Sequence, residues 1–319
     1  MKHAVIEITV SGAELLIAET DGKGAVKPVL KNRAAFPLHW HIKNKRMQKG
    51  AVGEIAAAAN EYKSACLAAG VEKPEAVFLS FMECVENAAE IVAEIERATD
   101  LKFKVLSKEE TVRCLLYAAC GQAGADGLIV IDSGGGALRM ADAGGGSGVS
   151  LPGLGSVKLS AECIRNILPK RDEVRAVKKQ IKKKASDFLG RGFSRAVFAG
   201  NAAVSVAKIY ADFYGEGKDP EGVTLKYKKL QKLFATLVET PRQATLITRH
   251  APERINTVLT SMAIFLECLK RLKIEEAAVK NYGLPEGYLY GLANGLPVFR
   301  AAAQAKKKGK NGKELKIEN

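Results

Sequence analysis

Asp132 and the glycines that follow it are the residues of this chain best suited to handling phosphate. They stand in the run Leu128-Ile129-Val130-Ile131-Asp132-Ser133-Gly134-Gly135-Gly136. Such an apolar stretch reads as a buried strand that delivers a carboxylate at its C-terminal end, where α/β sheets open their ligand crevices. Consecutive glycines let backbone N–H groups turn toward an anion and approach it closely. A phosphate held on those amides, with Asp132 placing Mg²⁺ or its coordinated water, is a coherent site. The alternative is a glycine hairpin beside a surface aspartate, and Gly144-Gly145-Gly146 reads as a loop only. His39-Trp40-His41 would set both imidazoles on one face of an extended strand. No clustered carboxylate or cysteine extends that pair into a metal site, so a structural or surface role is expected. Cys66, Cys84, Cys114, Cys120, Cys163 and Cys268 form no Cys-x-x-Cys pair and lie in apolar segments, as reduced thiols packed as small hydrophobes do.

The elements around these residues follow from periodicity. Strands are expected over residues 4–10 and 14–19, joined at Ser11-Gly12, then a helix over 53–69 and an apolar strand over 76–81. A helix over 87–98 and a strand over 103–106 come next. Ser107 followed by Glu109-Glu110 marks the start of a helix running to Ala119. The Gly/Ala-rich stretch 121–127 predicts a boundary between lobes of residues 1–122 and 123–300. After it, strand 128–132, a glycine turn and strand 137–141 repeat the opening strand–turn–strand. Two related lobes facing each other across a nucleotide or phosphate cleft would carry such a repeat. The remainder reads as helices over 157–168, 171–189, 203–213, 225–237 and 255–272, with short strands at 195–199 and 277–279.

Composition agrees with a soluble α/β protein. The 319 residues are long for one core, and 47% hydrophobic with 26% charged residues is ordinary for a globular chain. The Met1–Ile6 start enters a strand at once, and no stretch has the roughly twenty apolar residues that span a bilayer. A cytoplasmic protein without a membrane partner is expected. The formal charge of +14 favours polyanionic partners. One lysine block, Lys178 to Lys184, shares a helix with Val174, Val177 and Ile181 and reads as its solvated face. Another, beginning at Lys306, belongs to an expected disordered tail over 301–319; nucleic acid binding through that tail is the weakest of the polyanion readings.

Four segments, in order, resemble the Ppx/GppA exopolyphosphatase and guanosine pentaphosphate phosphatase family. They are Lys104 to Arg113, the Asp132–glycine segment through Met140 with Leu151 to Leu159, Arg254-Ile255-Asn256, and Tyr282 to Leu289. The resemblance spans about residues 3–295. It implies an α/β fold of two actin-like (ribonuclease H-like) domains with mixed sheets flanking a cleft. It further implies a Mg²⁺-dependent phosphohydrolase that removes the terminal phosphate of inorganic polyphosphate or guanosine pentaphosphate. The other reading is a non-catalytic relative that binds polyphosphate or a nucleotide; whether the chain forms a homodimer is left open. By the same resemblance, Glu7 and Asp132 would hold the metal, and Ser133, Gly134, Gly135, Gly136, Ser156 and Lys158 would bind phosphate.

The chain departs from the family pattern at several of these positions. Glu7 replaces an aspartate, and its longer side chain shifts the metal position. Thr9 and Val10 are β-branched and resist a tight amide turn. Anchoring on Ser107 and Arg113 puts Glu110 and Thr111 at the acidic pair, so that Thr111 takes the place of the family base. Sliding by one residue restores Glu109-Glu110 but loses the arginine. Arg139 stands where the family carries glutamate, and it could attract a phosphate chain or form a salt bridge.

Overall fold

A computed structural model describes residues 1–21, 25–120, 125–166, 169–217, 219–239 and 242–296. The chain opens with the antiparallel strands β1 (Lys2–Thr9), β2 (Gly12–Thr20) and β3 (Val26–Ala35). A small ribbon of β4 (Ile42–Lys43) and β5 (Arg46–Met47) leads into α1 (Gly50–Ala68). Then follow β6 (Glu75–Phe78), α2 (Ala88–Thr99), β7 (Phe103–Val105) and α3 (Lys108–Cys120). The second half begins with β8 (Leu128–Ser133), β9 (Ala137–Asp142) and β10 (Ser147–Pro152), followed by α4 (Ser156–Cys163), α5 (Arg171–Lys184) and α6 (Ser186–Leu189). It continues through β11 (Arg195–Ala199), α7 (Gly200–Tyr214), β12 (Thr224–Lys226), α8 (Tyr227–Glu239) and α9 (Arg242–His250). It closes with α10 (Val258–Leu272), β13 (Glu276–Lys280) and α11 (Leu284–Ala293).

Two mixed sheets result, ordered β3-β2-β1-β6-β7 and β10-β9-β8-β11-β13-β12. In each, an antiparallel meander gives way to parallel strands beside its first strand, β1 pairing with β6 and β8 with β11. The strand–turn–strand repeat of the sequence is therefore a repeat of sheet order, with β12 added antiparallel at one edge.

Period-two alternation divides each central strand between two cores. Ala4, Ile6 and Ile8 of β1 pack with α1 and α2, through Ile55, Ala59, Tyr62, Ile91 and Ile95. Ile129 and Ile131 of β8 join the core built with α5, α7 and α10. The opposite faces of the two strands meet in one shared core, where Val5, Leu16, Val77 and Val130 surround Val112, Leu115, Leu284, Tyr288 and Leu289. Between the sheets, α11 packs on α3; α3 lies against β8, β9 and β10, and α11 against β1, β2 and β3. Gly287 permits this contact, since a Cβ there would overlap the Cys114 carbonyl.

Several expectations change. His39-Trp40-His41 lies in a 3-10 turn, not a strand, and His41 turns away to Glu54, Nε2 to Oε1 3.4 Å. The helix expected over 157–168 ends at Cys163, and that expected over 171–189 is two, α5 and α6. The helix expected over 225–237 starts as strand β12. Strands β3 and β10 and helix α11 were not among the expected elements. Part of the expected boundary, and the tail 301–319, lie outside the described residues. No helix among the described residues is long and apolar enough to cross a membrane.

Candidate active site

The same alternation aims charge into the gap between the sheets. Glu7 shares the face of Val5, Glu14 that of Leu16 and Ala18, and Asp132 that of Val130. These carboxylates stand at the ends of their strands, around a cavity of about 610 Å³ that Arg33, Arg139 and Arg254 also line. Of the residues singled out from sequence, Glu7, Asp132, Ser133, Gly134, Gly135 and Gly136 line this cavity together.

Glu110, Thr111, Ser156 and Lys158 do not line it, and each has a structural reason. Ser107 N–H donates to Glu110 Oε2 at 2.8 Å, and Glu110 N–H to Ser107 Oγ at 3.2 Å. This reciprocal capping box spends the Glu110 carboxylate on the start of α3. Thr111 is fully buried, its Oγ1 donating to the Lys108 carbonyl at 2.7 Å. Neither side chain reaches the cavity, where the expected catalytic pair would have to act. Ser156 and Lys158 instead serve the glycine turn from behind: Ser156 N–H donates to the Gly134 carbonyl at 2.9 Å, and Lys158 N–H to that of Gly135 at 3.1 Å. The Lys158 ammonium points to Glu162, 3.5 Å away on its own helix.

The glycine turn also serves packing. A Cβ at Gly135 or Gly136 would stand 3.2 Å from a γ-carbon of Val10, so the glycines receive the facing hairpin turn. That turn satisfies itself: Ser11 N–H donates to Thr9 Oγ1 at 3.1 Å, which donates to the Gly12 carbonyl at 3.2 Å. Its β-branched residues pack rather than cradle an anion. Gly134 makes room for Arg139, whose Nη1 lies 2.5 Å from where a Cβ would be.

Arg139 makes the salt bridge that was one of its two expected roles. Its Nη1 donates to Asp132 Oδ2 at 2.8 Å, with side chains 6% and 13% exposed. Burial raises the Asp132 carboxyl above its usual range, and Arg139 opposes that rise. Burial pushes the Glu7 carboxyl well above the carboxylate range, with the charge of Glu14 adding and that of Arg139 opposing.

A second ion cluster was not read from the sequence. Lys31 Nζ lies 2.8 Å from Glu286 Oε1 and 3.4 Å from Glu14 Oε1, and Asn201 Nδ2 donates to Glu14 Oε2 at 2.8 Å. Burial works against the Lys31 charge, but Glu286 and Glu14 together carry its pKa above the ordinary lysine value. One signal was available: Glu14 is a lone carboxylate inside the apolar run from Ala13 to Ala18. Arg33, on the polar edge strand β3, gave none.

The cationic end of the cavity is less satisfied. Arg254, just before α10, has a side chain only 11% exposed, and its Nε makes no hydrogen bond. Burial and then the neighbouring charge of Arg33 bring its pKa down to about 10. Arg139 Nε and Ser133 Oγ are likewise buried without a hydrogen-bond partner. The N-terminus of α7 opens here too, at Gly200, Asn201 and Ala202.

A match to the family model described as the Ppx/GppA phosphatase family runs over residues 16–295. The chain belongs to the Ppx/GppA family. Among solved structures, the Aquifex aeolicus Ppx/GppA family member is 23% identical, with a TM-score of 0.76 over 92% of this chain and 98% of that one. An exopolyphosphatase from Cytophaga hutchinsonii is 14% identical, with a TM-score of 0.83 over 94% of this chain and all of that one, 100%. At these identities the likeness establishes the fold, the actin-like arrangement that the sequence resemblance implied. No curated protein sequence matches.

Ppx/GppA enzymes generally depend on a divalent metal. The donors of this chain do not fit one. Asp132 gives an oxygen to Arg139, and Glu14 and Glu286 share Lys31. Among the described residues no three His, Cys, Asp or Glu side chains converge as a ligand set.

Proposed function

We propose that this Ppx/GppA chain binds the phosphate chain of inorganic polyphosphate or guanosine pentaphosphate in the cavity between its two lobes and does not hydrolyse it. The lobes are taken as residues 1–122 and 123–300. The observation that carries the reading is Arg254: a largely buried guanidinium whose Nε makes no hydrogen bond, with the Glu253 carboxylate 3.9 Å away and Arg33 close enough for the two cationic charges to oppose each other. A largely buried cation beside a second, half-buried one is costly unless an anion joins them. Phosphoryl oxygens would satisfy both guanidinium groups, with Ser133 Oγ and the first-turn amides of α7 as further donors. Hydrolysis needs a carboxylate to orient the attacking water, and the residues that resemblance assigns to that task are a helix cap, Glu110, and a buried threonine.

Trp40 supplies the measurement. It is the sole tryptophan, 71% exposed, at the wall of the same cavity. Polyphosphate or guanosine pentaphosphate should change its fluorescence saturably and more weakly as salt rises, while a malachite-green assay of the same samples detects no phosphate. Arg254→Ala should weaken binding by tenfold or more, about 1.4 kcal/mol. Mg²⁺-stimulated phosphate release that disappears in Asp132→Ala would overturn the proposal.

A further inference from the structure

The Asp132–Arg139 pair is fixed by strand register. The two residues are direct partners across the β8–β9 hairpin, so their side chains rise from the same face of the sheet. Gly134 is shaped to admit the guanidinium, and the other Asp132 oxygen, Oδ1, lies 2.9 Å from where a Cβ at Gly200 would stand. Gly200 holds a φ of +82°, a conformation that favours glycine. The backbone on both sides is thus fitted around this ion pair. Mg²⁺ demands near-octahedral oxygen ligands and keeps several waters, which a half-committed, enclosed carboxylate cannot provide.

We propose that Arg139 is a permanent cation built into the site in place of a divalent ion, so that this cavity captures phosphoryl oxygens without metal and uses Arg139 Nε as one of its donors. That Nε is buried, has no partner within the protein and belongs to a residue lining the cavity. The guanidinium can hold Asp132 through Nη1 and still donate from Nε, because its donors diverge in one plane. A metal ion would have to be recruited at each binding event; the arginine is always present and always charged. The inference rests on the binding reading above, and its test separates the two.

The first probe is Mn²⁺ alone, followed by electron paramagnetic resonance on the full chain. The parent should bind no stoichiometric Mn²⁺, whereas Arg139→Gln frees Asp132 and should gain a Mn²⁺ site at least tenfold tighter, lost again in Asp132→Asn/Arg139→Gln. One Mn²⁺ per parent chain, abolished by Asp132→Asn, overturns the idea, and this titration reads out even if Arg139→Gln fails to fold. The second probe is tripolyphosphate, whose affinity for the parent should be the same in EDTA as in Mg²⁺. Arg139→Lys, which keeps the charge but loses the Nε donor, should bind it severalfold more weakly and still without metal. Binding of tripolyphosphate that requires Mg²⁺ sinks this inference alone. Failure to bind under either condition sinks the reading beneath it, while the Mn²⁺ titration still decides the role of Arg139.

Discussion

Glu7 puts a carboxyl group 4% exposed against Glu14, Asp132 and Arg139. Burial raises its folded pKa above the unfolded value of about 4.3. The folded state then binds the Glu7 proton more tightly than the unfolded chain, so its contribution is fully favourable below that value. It is lost as pH rises toward the folded pKa. Glu7→Gln mimics the protonated group, and its melting temperature should exceed the parent's by a margin that widens from about pH 4 toward neutrality, as thermal denaturation across a pH series would show. A margin that narrows instead would mean that Glu7 is a stabilised anion. Asp132 and its glycines could be read from sequence because an apolar run ending in a charge has one simple explanation. The partners that neutralise the charges could not. Lys31 comes from an edge strand whose residues alternate nothing, and the pairing of Arg139 with Asp132 needed the hairpin register.

The helix α3 shows how a local rule can settle a functional question. Serine followed three residues on by glutamate is a capping box, and the geometry observed uses both halves of it. Glu110→Ala should therefore cost about 1 kcal/mol of stability, measurable by urea denaturation, and leave the affinity for polyphosphate unchanged. Glu110→Gln should cost less, since glutamine also closes the box. Loss of phosphate binding in Glu110→Gln without loss of stability would return Glu110 to the site. Helices and buried strands with strong apolar periodicity were mostly read close to their observed ends, α4 and the α5–α6 break excepted. Elements stabilised by neighbours were not: β3 is mostly exposed, with Lys27, Pro28, Lys31 and Arg33 along it. Helix α11 was not expected either: Gly287 and Gly291 weaken its helix propensity, and it is held by packing on α3.

Across the whole molecule, the two sheets are joined by a shared apolar core and by a small polar cluster. Lys31 on β3, Glu14 on β2, Glu286 on α11 and Asn201 on α7 tie elements from both ends of the chain. Lys31→Met leaves two carboxylates facing each other. Because the lysine side chain is 24% exposed, the expected loss is about 2 kcal/mol, below the full cost of breaking a buried pair. Lys31→Met/Glu286→Gln should recover part of it, a coupling that a double-mutant cycle in calorimetry would detect. The strand–turn–strand repeat was visible in sequence as two hairpins; that both sheets share one order was not, because strand order is set by crossovers that leave no local mark. The seat of Gly287 on α3 bears on how the protein is made. While the ribosome is still adding residues 128–280, the earlier half exposes Val5, Leu16 and Leu115 without their cover. That cover arrives only once α11 clears the exit tunnel, so the emerging chain is a natural client for holdase chaperones, and stalled translation before Leu284 would yield a sticky, aggregation-prone product.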